Sequence, residues 1–206
     1  MTEELVLYHA PRTRSVRVRW LLEEMKLPYT LEPVAFDRRP AGDENYARIH
    51  PLRKIPALRH GSMTMIESTA MVEYILARFG PSSLAPDSQS EDYGPFLQWI
   101  HFSEASMSMP VNLLLAHTAI LPEAHRNPGL AHWAEQETLK LLEFIGEHGL
   151  KGEEYLIGNA FSAADICVGY MFLLLKLIRK FDMAPPAVKA YFDRLSSRDA
   201  WIVASS

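Results

Sequence analysis

The 206-residue sequence contains a single cysteine, Cys167, which excludes an internal disulfide and is typical of a protein from a reducing compartment. No secretory signal is expected either, because the acidic start at residues 1–4 leads directly into a short apolar run. The longest uncharged apolar run, residues 166–175, is too short to cross a bilayer. These absences predict a cytoplasmic protein that does not insert into a membrane.

An excess of positive charge is missing too, because 25 acidic residues outweigh 21 basic ones and the net charge is −4. Bulk charge therefore gives no reason to expect nucleic-acid binding. The basic residues are nonetheless concentrated near the start of the chain. Four arginines lie within eight positions there: Arg12, Arg14, Arg17 and Arg19. Such a run is either a solvated helix face or a site for a small anion, and the sequence leaves both open.

The first 80 residues alternate between strand and helix patterns. Apolar runs at residues 5–8 and 29–34 predict two strands, with an amphipathic helix between them at 15–26. This strand, helix, strand unit implies a parallel pair joined by a right-handed crossover. The rest of this part predicts a short helix at 44–49, a hairpin that turns at Gly61 and Ser62, and a helix at 69–79.

The second half of the chain shows only helical patterns. Residues 80–90 are rich in proline and serine, which is typical of a linker. Helices are predicted at 93–115 (with a break near Ser108 because of Pro110), 128–148, 163–181 and 186–196. The fold class is therefore α/β plus all-α. We expect an α/β domain at residues 1–80, a linker at 81–90 and an all-helical domain at 91–206.

A proline motif precedes the third strand, at Ile55 and Pro56 within the run RKIPAL of residues 53–58. If this peptide bond is cis, the backbone N–H and C=O of Ile55 can pair with a peptide-like ligand, as an added strand would. The alternative is an ordinary edge proline, because only about 5–6 % of such bonds are cis.

A second motif, Glu67 and Ser68, stands where a strand passes into a helix. Ser68 is predicted to be the N-cap of that helix, whose first N–H groups and partial positive charge attract carboxylates. The Glu67 carboxylate beside it can accept hydrogen bonds from an ammonium group. The pair therefore suits an α-amino acid ligand, and the alternative is a capping pair without a ligand.

A third motif, Ser162 and Asp165, stands at the start of the most apolar helix and has the spacing of a capping box, so we interpret it as structural. Cys167 in the same helix is predicted to be a buried, unreactive thiol. His101 and Glu104 lie one helical turn apart, but two ligands do not make a zinc site, and no metal is expected.

The order and spacing of the three motifs resemble those of the glutathione S-transferase superfamily. Its members share a cis-proline in a V/I-P-x-L loop, an [E/Q]-S turn further along and an S/T-x-x-D cap in the second domain. Here these are residues 55–58, 67–68 and 162–165, and the runs at 7–24 and 99–104 are similar to the bacterial and fungal branch. The resemblance implies a thioredoxin-like N-terminal domain, an all-helical C-terminal domain and a homodimer.

The resemblance also implies that the protein binds glutathione as its cosubstrate. The implied binding residues are Lys54, Ile55, Pro56, Glu67 and Ser68. Ile55 would pair with the cysteinyl backbone, while Glu67 and Ser68 would hold the γ-glutamyl amine and carboxylate. Lys54 and the arginine before it would lie near the glycyl carboxylate.

The family stabilises the thiolate of glutathione with a Ser, Tyr or Cys at or just after the first strand. A free thiol has a pKa of about 8.5, so at neutral pH most of it is protonated without such help. The candidates here are Tyr8, Thr13 and Ser15. Arg12 and Arg14 occupy the positions at which other branches carry serine or cysteine, so the sequence leaves the choice open.

These features predict a glutathione transferase, active in detoxification, that promotes attack of the glutathione thiol on a small hydrophobic electrophile. Two alternatives share the fold: a glutathione-dependent reductase of disulfides or peroxides, and a glutathione-binding protein without turnover. A glutathione-dependent isomerase is disfavoured, because Arg12, Thr13 and Arg14 stand where its usual Ser-Ser-Cys run would be. Neither a metal nor a nucleic-acid or membrane partner is expected.

Overall fold

The computed structural model describes residues 4–36 and 41–206, so residues 37–40, part of a predicted polar loop, lie outside the described residues. The chain divides into two compact units, Met1–Ser82 with Arg198–Ser206, and Ser83–Ser197. The first unit contains a sheet with helices and the second is helical, which confirms the predicted fold class. The domain boundaries at residues 80 and 91 stay a prediction.

The first unit is built on a four-stranded mixed sheet. Its strands are β1 Leu5–His9, β2 Thr30–Pro33, β3 Ala57–His60 and β4 Met63–Met65. They lie in the order β2-β1-β3-β4, with β1 parallel to β2 and antiparallel to β3, and with β3 and β4 forming the predicted hairpin. The successive residues Leu5, Val6 and Leu7 are all buried, which means that both faces of β1 are covered.

Three helices of the first unit follow in chain order: α1 Ser15–Glu24, α2 Glu44–Ile49 and α3 Ser68–Phe79. α2 has the predicted bounds, α1 ends two residues before its prediction, and α3 begins one residue earlier than expected. α1 is buried on nearly every side. Its apolar residues without exposed surface are Val16, Val18, Trp20, Leu21 and Leu22.

The second unit is a group of helices. They are α4 Tyr93–Ala105, α5 Ser108–Leu115, α6 Pro128–Phe144, α7 Ala163–Leu177 and α8 Pro186–Ser196. Shorter turns are the π-helices Ala116–Ile120 and Ile145–Leu150 and the 3-10 helices Glu123–His125 and Phe181–Met183. The predicted break near Ser108 separates α4 from α5. The predicted helix at 128–148 is α-helical only to Phe144, because its last turn widens to π geometry.

The core of the second unit is organised around Asp165 in the first turn of α7, which has no exposed surface. Its carboxylate accepts hydrogen bonds from the N–H and Oγ of Ser162 (2.8 and 3.1 Å), the N–H of Leu156 (3.0 Å) and the Oη of Tyr191 (2.6 Å). Burial raises the pKa of Asp165 and these donors oppose that rise. The capping-box interpretation of Ser162 and Asp165 is thereby confirmed.

A final helix, α9 Asp199–Ser205, returns to the first unit and packs on α1. The ring of Trp201 meets that of Trp20 edge-on, with 4.7 Å between centroids. Arg198, just before α9, donates from Nε and Nη2 to the two carboxylate oxygens of Glu24, at 2.6 and 2.8 Å. No sequence pattern indicates α9, because seven residues are too few for a clear helical period.

We expect Trp201→Ala to lower the free energy of unfolding of the first unit by about 3–5 kcal/mol, the usual loss for a large buried side chain. Trp201 is 6 % exposed, whereas its neighbour Ile202 is 58 % exposed. Ile202→Ala is therefore the matched control, with an expected effect below about 0.5 kcal/mol. Denaturant unfolding of both variants measures the difference, and equal losses would contradict the packing of α9 on α1.

Candidate functional site

The loop before β3 contains the predicted proline motif, and its Ile55–Pro56 peptide bond is cis. Ile55 is 8 % exposed. Among the residues that the structure describes, neither the N–H nor the C=O of Ile55 has a hydrogen-bond partner. A buried backbone group without a partner is costly, so these two groups suit a ligand with a complementary peptide unit.

Side chains around α2 hold this loop in place. Asp43 caps α2 by accepting from the N–H groups of Asn45 and Tyr46, both at 3.0 Å. The Oη of Tyr46 then donates to the carbonyl oxygen of Lys54 at 2.5 Å. Arg53 donates to the carbonyl oxygens of residues 41 and 42 and pairs with the carboxylate of residue 44. The Arg53 guanidinium is therefore used within the loop, while Lys54 is exposed.

The second motif differs in detail from the prediction. Glu67, not Ser68, occupies the N-cap position of α3, and Ser68 is the first residue of the helix. The prediction of Ser68 as the cap is wrong, because Glu67 takes a left-handed backbone (φ 75°) and makes no side-chain cap. Ser68 is buried and Glu67 is exposed. The pair still stands at the positive end of a helix.

A buried arginine, Arg17, completes this corner of the site and was missed by the sequence analysis as an individual residue. It has no exposed surface, and its Nη1 donates to the Oγ of Ser68 at 3.2 Å. The charge therefore lies beside the first turn of α3, where a carboxylate would bind. The available signal was its spacing, because Arg17 lies one helical turn before Leu21 on a stripe that is otherwise apolar.

The three candidate hydroxyl groups differ in their surroundings. Ser15 has no exposed surface, and its Oγ lies 2.8 Å from the Nδ1 of His9 and 2.8 Å from the Oγ1 of Thr13. Thr13 is 7 % exposed and donates to the carbonyl oxygen of Ala10 at 2.8 Å. The carbonyl of Ala10 also accepts from Ser15 at 3.2 Å. The two hydroxyls and the imidazole thus form one buried network.

Tyr8, the third candidate, lies outside this network. Its ring is partly buried and packs on a cluster that includes Tyr46 and Ile55, with 5.8 Å between the centroids of the two tyrosine rings. Within residues 4–36 and 41–206, no hydrogen bond satisfies the Tyr8 hydroxyl. Unlike Thr13 and Ser15, Tyr8 is not at the N-terminus of a helix.

The structure brings the binding residues predicted from the sequence to one region of the first unit. Tyr8 and Ile55 share one apolar cluster. The charges of Lys54 and Glu67 both act on the buried His50. Burial lowers the pKa of His50 most, the Lys54 ammonium lowers it further, and the Glu67 carboxylate opposes the change. The Lys54 ammonium and the Glu67 carboxylate therefore both lie within electrostatic range of His50, and Ile55 directly follows Lys54 along the chain.

Known proteins resemble this chain over both units. The family model "Glutathione S-transferase, N-terminal domain" matches residues 3–77, and "Glutathione S-transferase, C-terminal domain" matches residues 109–199. Glutathione S-transferase 3 of Schizosaccharomyces pombe is 30 % identical over 172 residues, which cover 78 % of this chain and 70 % of the relative. The chain belongs to the glutathione S-transferase family.

Other members of the glutathione S-transferase family match nearly the whole chain. Glutathione S-transferase 1 of Triticum aestivum is 26 % identical over 97 % of this chain and 92 % of its own length. A crystal structure of a glutathione transferase from Burkholderia graminis, with two glutathione molecules bound per subunit, superposes with a TM-score of 0.86. That structure is 23 % identical and covers 98 % of this chain and 88 % of its own, so it supports the fold alone.

All the predicted site residues of this glutathione S-transferase lie in the part that the N-terminal family model matches. In the part of the chain that the structure describes, no group of three or more potential metal ligands lies together. No helix there is long and apolar enough to span a membrane. The single cysteine, Cys167, is fully buried in α7.

The stability of the protein should depend on pH through His9. Burial lowers the pKa of His9 from 6.5 to about 4, and the charge of Arg19 acts in the same direction. The unfolded chain therefore binds this proton at a higher pH than the folded chain does. The contribution of His9 to the free energy of unfolding is fully present above pH 6.5 and is lost as the pH falls through 4. This contribution is about 3 kcal/mol in total.

Unfolding of the wild type and of His9→Asn at pH 7 and pH 4 measures this contribution. Carboxylates titrate in both proteins, so their contribution cancels in the comparison. We expect the stability of His9→Asn to fall less between the two pH values than that of the wild type. Equal losses in the two proteins would show that His9 is not buried in its neutral form.

Proposed function

We propose that this protein is a glutathione transferase that binds the tripeptide on its first unit and promotes attack of the thiol on a small hydrophobic electrophile. The observation that carries this proposal is the combination of two features in a member of this family. One is the unpaired peptide groups of Ile55 beside cis-Pro56. The other is the pair of Ser68 and Arg17 at the N-terminus of α3.

Each charged or polar part of glutathione has a chemically matched group in this region. The γ-glutamyl carboxylate binds at Ser68 and the first N–H groups of α3, with the charge of Arg17 behind them. The exposed carboxylate of Glu67 accepts from the γ-glutamyl amine. The N–H and C=O of Ile55 pair with the cysteinyl unit, and the exposed ammonium of Lys54 attracts the glycyl carboxylate.

The chemical step needs the glutathione sulfur as a thiolate. The thiol proton leaves to solvent, the sulfur forms a bond with the electrophilic carbon, and the leaving group departs with its electron pair. A hydroxyl that donates to the sulfur favours the thiolate, and so does the N-terminus of α1. Thr13 supplies this hydroxyl in our proposal, because it stands at that helix end and keeps some exposed surface, whereas Ser15 is sealed.

The protein acts in this proposal as a homodimer in the cytoplasm, with a role in detoxification. The family resemblance supports the dimer, because in dimers of this family the first domain of one subunit pairs with the second domain of the other. The single buried cysteine supports the cytoplasmic location, because proteins of reducing compartments rarely contain disulfides.

Removal of the Ser68 hydroxyl tests the binding site. We expect Ser68→Ala to weaken glutathione binding by roughly 1–3 kcal/mol, because a hydrogen bond to a charged carboxylate is lost. Isothermal titration calorimetry measures the change. The matched control is Ser62→Ala in the exposed hairpin turn, which should bind as the wild type does. An unchanged affinity of Ser68→Ala would mean that this corner of the molecule is structural.

The thiol-activating hydroxyl is identified by comparing Thr13→Ala, Ser15→Ala and Tyr8→Phe on one electrophilic substrate. We expect Thr13→Ala to lose roughly 10²-fold in turnover with little change in affinity, because its donor acts on charge that develops at the sulfur. Tyr8→Phe should lose less than about tenfold, the scale of one neutral hydrogen bond. The largest loss in Tyr8→Phe would move the assignment to Tyr8.

A further inference from the structure

His9 at the end of β1 is a buried histidine with no place in the proposed binding or transfer steps. It is 4 % exposed, its Nδ1 lies 2.8 Å from the Oγ of Ser15, and its Nε2 has no hydrogen-bond partner among the described residues. Ser15 lies 2.8 Å in turn from the Oγ1 of Thr13. A chain of three polar side chains therefore runs from the interior of the first unit to the hydroxyl that the proposed function assigns to the thiol.

The number of hydrogen atoms that His9, Ser15 and Thr13 can donate limits the possible patterns of hydrogen bonds between them. Ser15 and Thr13 each carry one hydroxyl hydrogen, and a neutral imidazole carries one N–H. The backbone N–H groups of Ala10 and Ser15 point at the two hydroxyl oxygens, at 3.4 Å each, so both oxygens already accept weakly. The carbonyl oxygen of Ala10 is the backbone acceptor for both hydroxyls.

The tautomer of His9 decides in which direction the hydrogen bonds between His9, Ser15 and Thr13 run. If Nδ1 carries the hydrogen, His9 donates to Ser15, and Ser15 donates to Thr13 at 2.8 Å in preference to the carbonyl oxygen of Ala10 at 3.2 Å. The hydroxyl of Thr13 then accepts from inside the protein, and its own hydrogen, which points to the carbonyl oxygen of Ala10 at 2.8 Å, can turn to the ligand instead. If Nε2 carries the hydrogen, Ser15 donates to His9 instead, and Thr13 has no donor behind it other than the weak N–H of Ser15.

We propose that His9 is a positioning residue for the thiol-activating hydroxyl, acting from Nδ1–H through Ser15 on Thr13. This role rests on the proposed function, because it requires a glutathione thiolate at Thr13. His9 does not touch the ligand. It fixes the direction in which the hydroxyls donate, and successive hydrogen bonds of this kind strengthen one another.

The electrostatic surroundings of His9 support a fixed neutral donor. Burial lowers its pKa and the Arg19 guanidinium of α1 acts in the same direction, so the ring stays neutral at physiological pH. A neutral imidazole keeps one hydrogen on a set nitrogen, whereas a charged ring would have to hold a second hydrogen on the unpartnered Nε2. Proton uptake by His9 is therefore not part of the proposed role.

Two variants of His9 test the proposal. Asparagine places an amide group where the histidine Nδ1 stands and can donate to Ser15, whereas leucine fills the space without a donor. We expect His9→Leu to raise the pKa of the bound glutathione thiol by about one unit and to lower turnover at neutral pH about tenfold, with less than about threefold change in affinity. His9→Asn should recover most of both losses.

The pKa of the bound thiol is measured from the ultraviolet absorbance of the thiolate against pH, and the affinity by calorimetry. The double variant His9→Leu with Thr13→Val shows whether His9 acts through Thr13. If it does, His9→Leu has no further effect on the thiol pKa in the Thr13→Val background. Additive shifts in the two variants, or equal shifts in His9→Leu and His9→Asn, would overturn the proposed role.

Nuclear magnetic resonance of the nitrogen-labelled wild type gives a test that does not depend on the folding of a variant. We expect the His9 hydrogen on Nδ1, and a hydrogen on Nε2 would overturn the proposal. If the wild type holds no glutathione thiolate, the proposed function fails and this role fails with it. If the wild type holds the thiolate and His9→Leu leaves its pKa unchanged, only the role of His9 fails.

Discussion

The burial of α1 is the constraint on which the rest of the first unit depends. This helix is covered by the sheet, by α3 and by α9, and most of its side chains have no contact with solvent. Two of these side chains, Ser15 and Arg17, are polar. A buried polar group is stable only when it has partners, so the neighbouring elements must supply them. His9 and Thr13 serve Ser15, and Ser68 serves Arg17.

The same constraint places the candidate site at the ends of α1 and α3. Two of these partners, Thr13 and Ser68, are side chains that the family resemblance associates with glutathione, so stability and the proposed binding involve the same atoms. Ser68, for example, is the partner of Arg17 and the proposed ligand of a carboxylate. A preformed network of this kind loses little conformational entropy when the ligand binds.

Much of the fold followed from local patterns in the sequence. The strand, helix, strand unit, the hairpin and α2 all have short-range signals, such as the turn at Gly61 and Ser62. The motifs of Ile55 and Ser68 were also recognisable in the sequence, and both lie in the first unit. Elements held by contacts between residues far apart along the chain could not be predicted from local patterns. α9 depends on Trp20 and Glu24, which are far away along the chain.

The roles of individual polar residues in the site were harder to predict for a related reason. Thr13 and Ser15 are two residues apart, and the sequence cannot tell which of them faces inward, because that depends on the rotation of α1 against the sheet. The position of Glu67 as the cap depends on one backbone angle. Arg17 was hidden by its charge, since an arginine in an amphipathic helix usually faces solvent.

The return of α9 to the first unit has a consequence for the synthesis of the chain on the ribosome. Residues up to Ser82 leave the ribosome first, yet their partner segment begins only at Arg198. Chain synthesis adds about 5–20 residues per second, so the surface of α1 around Trp20 is not covered by α9 for several seconds or longer. During that time the nascent chain presents an indole-lined surface that a chaperone can recognise. The amino-terminal unit is thus completed only after residues 198–205 have been synthesised.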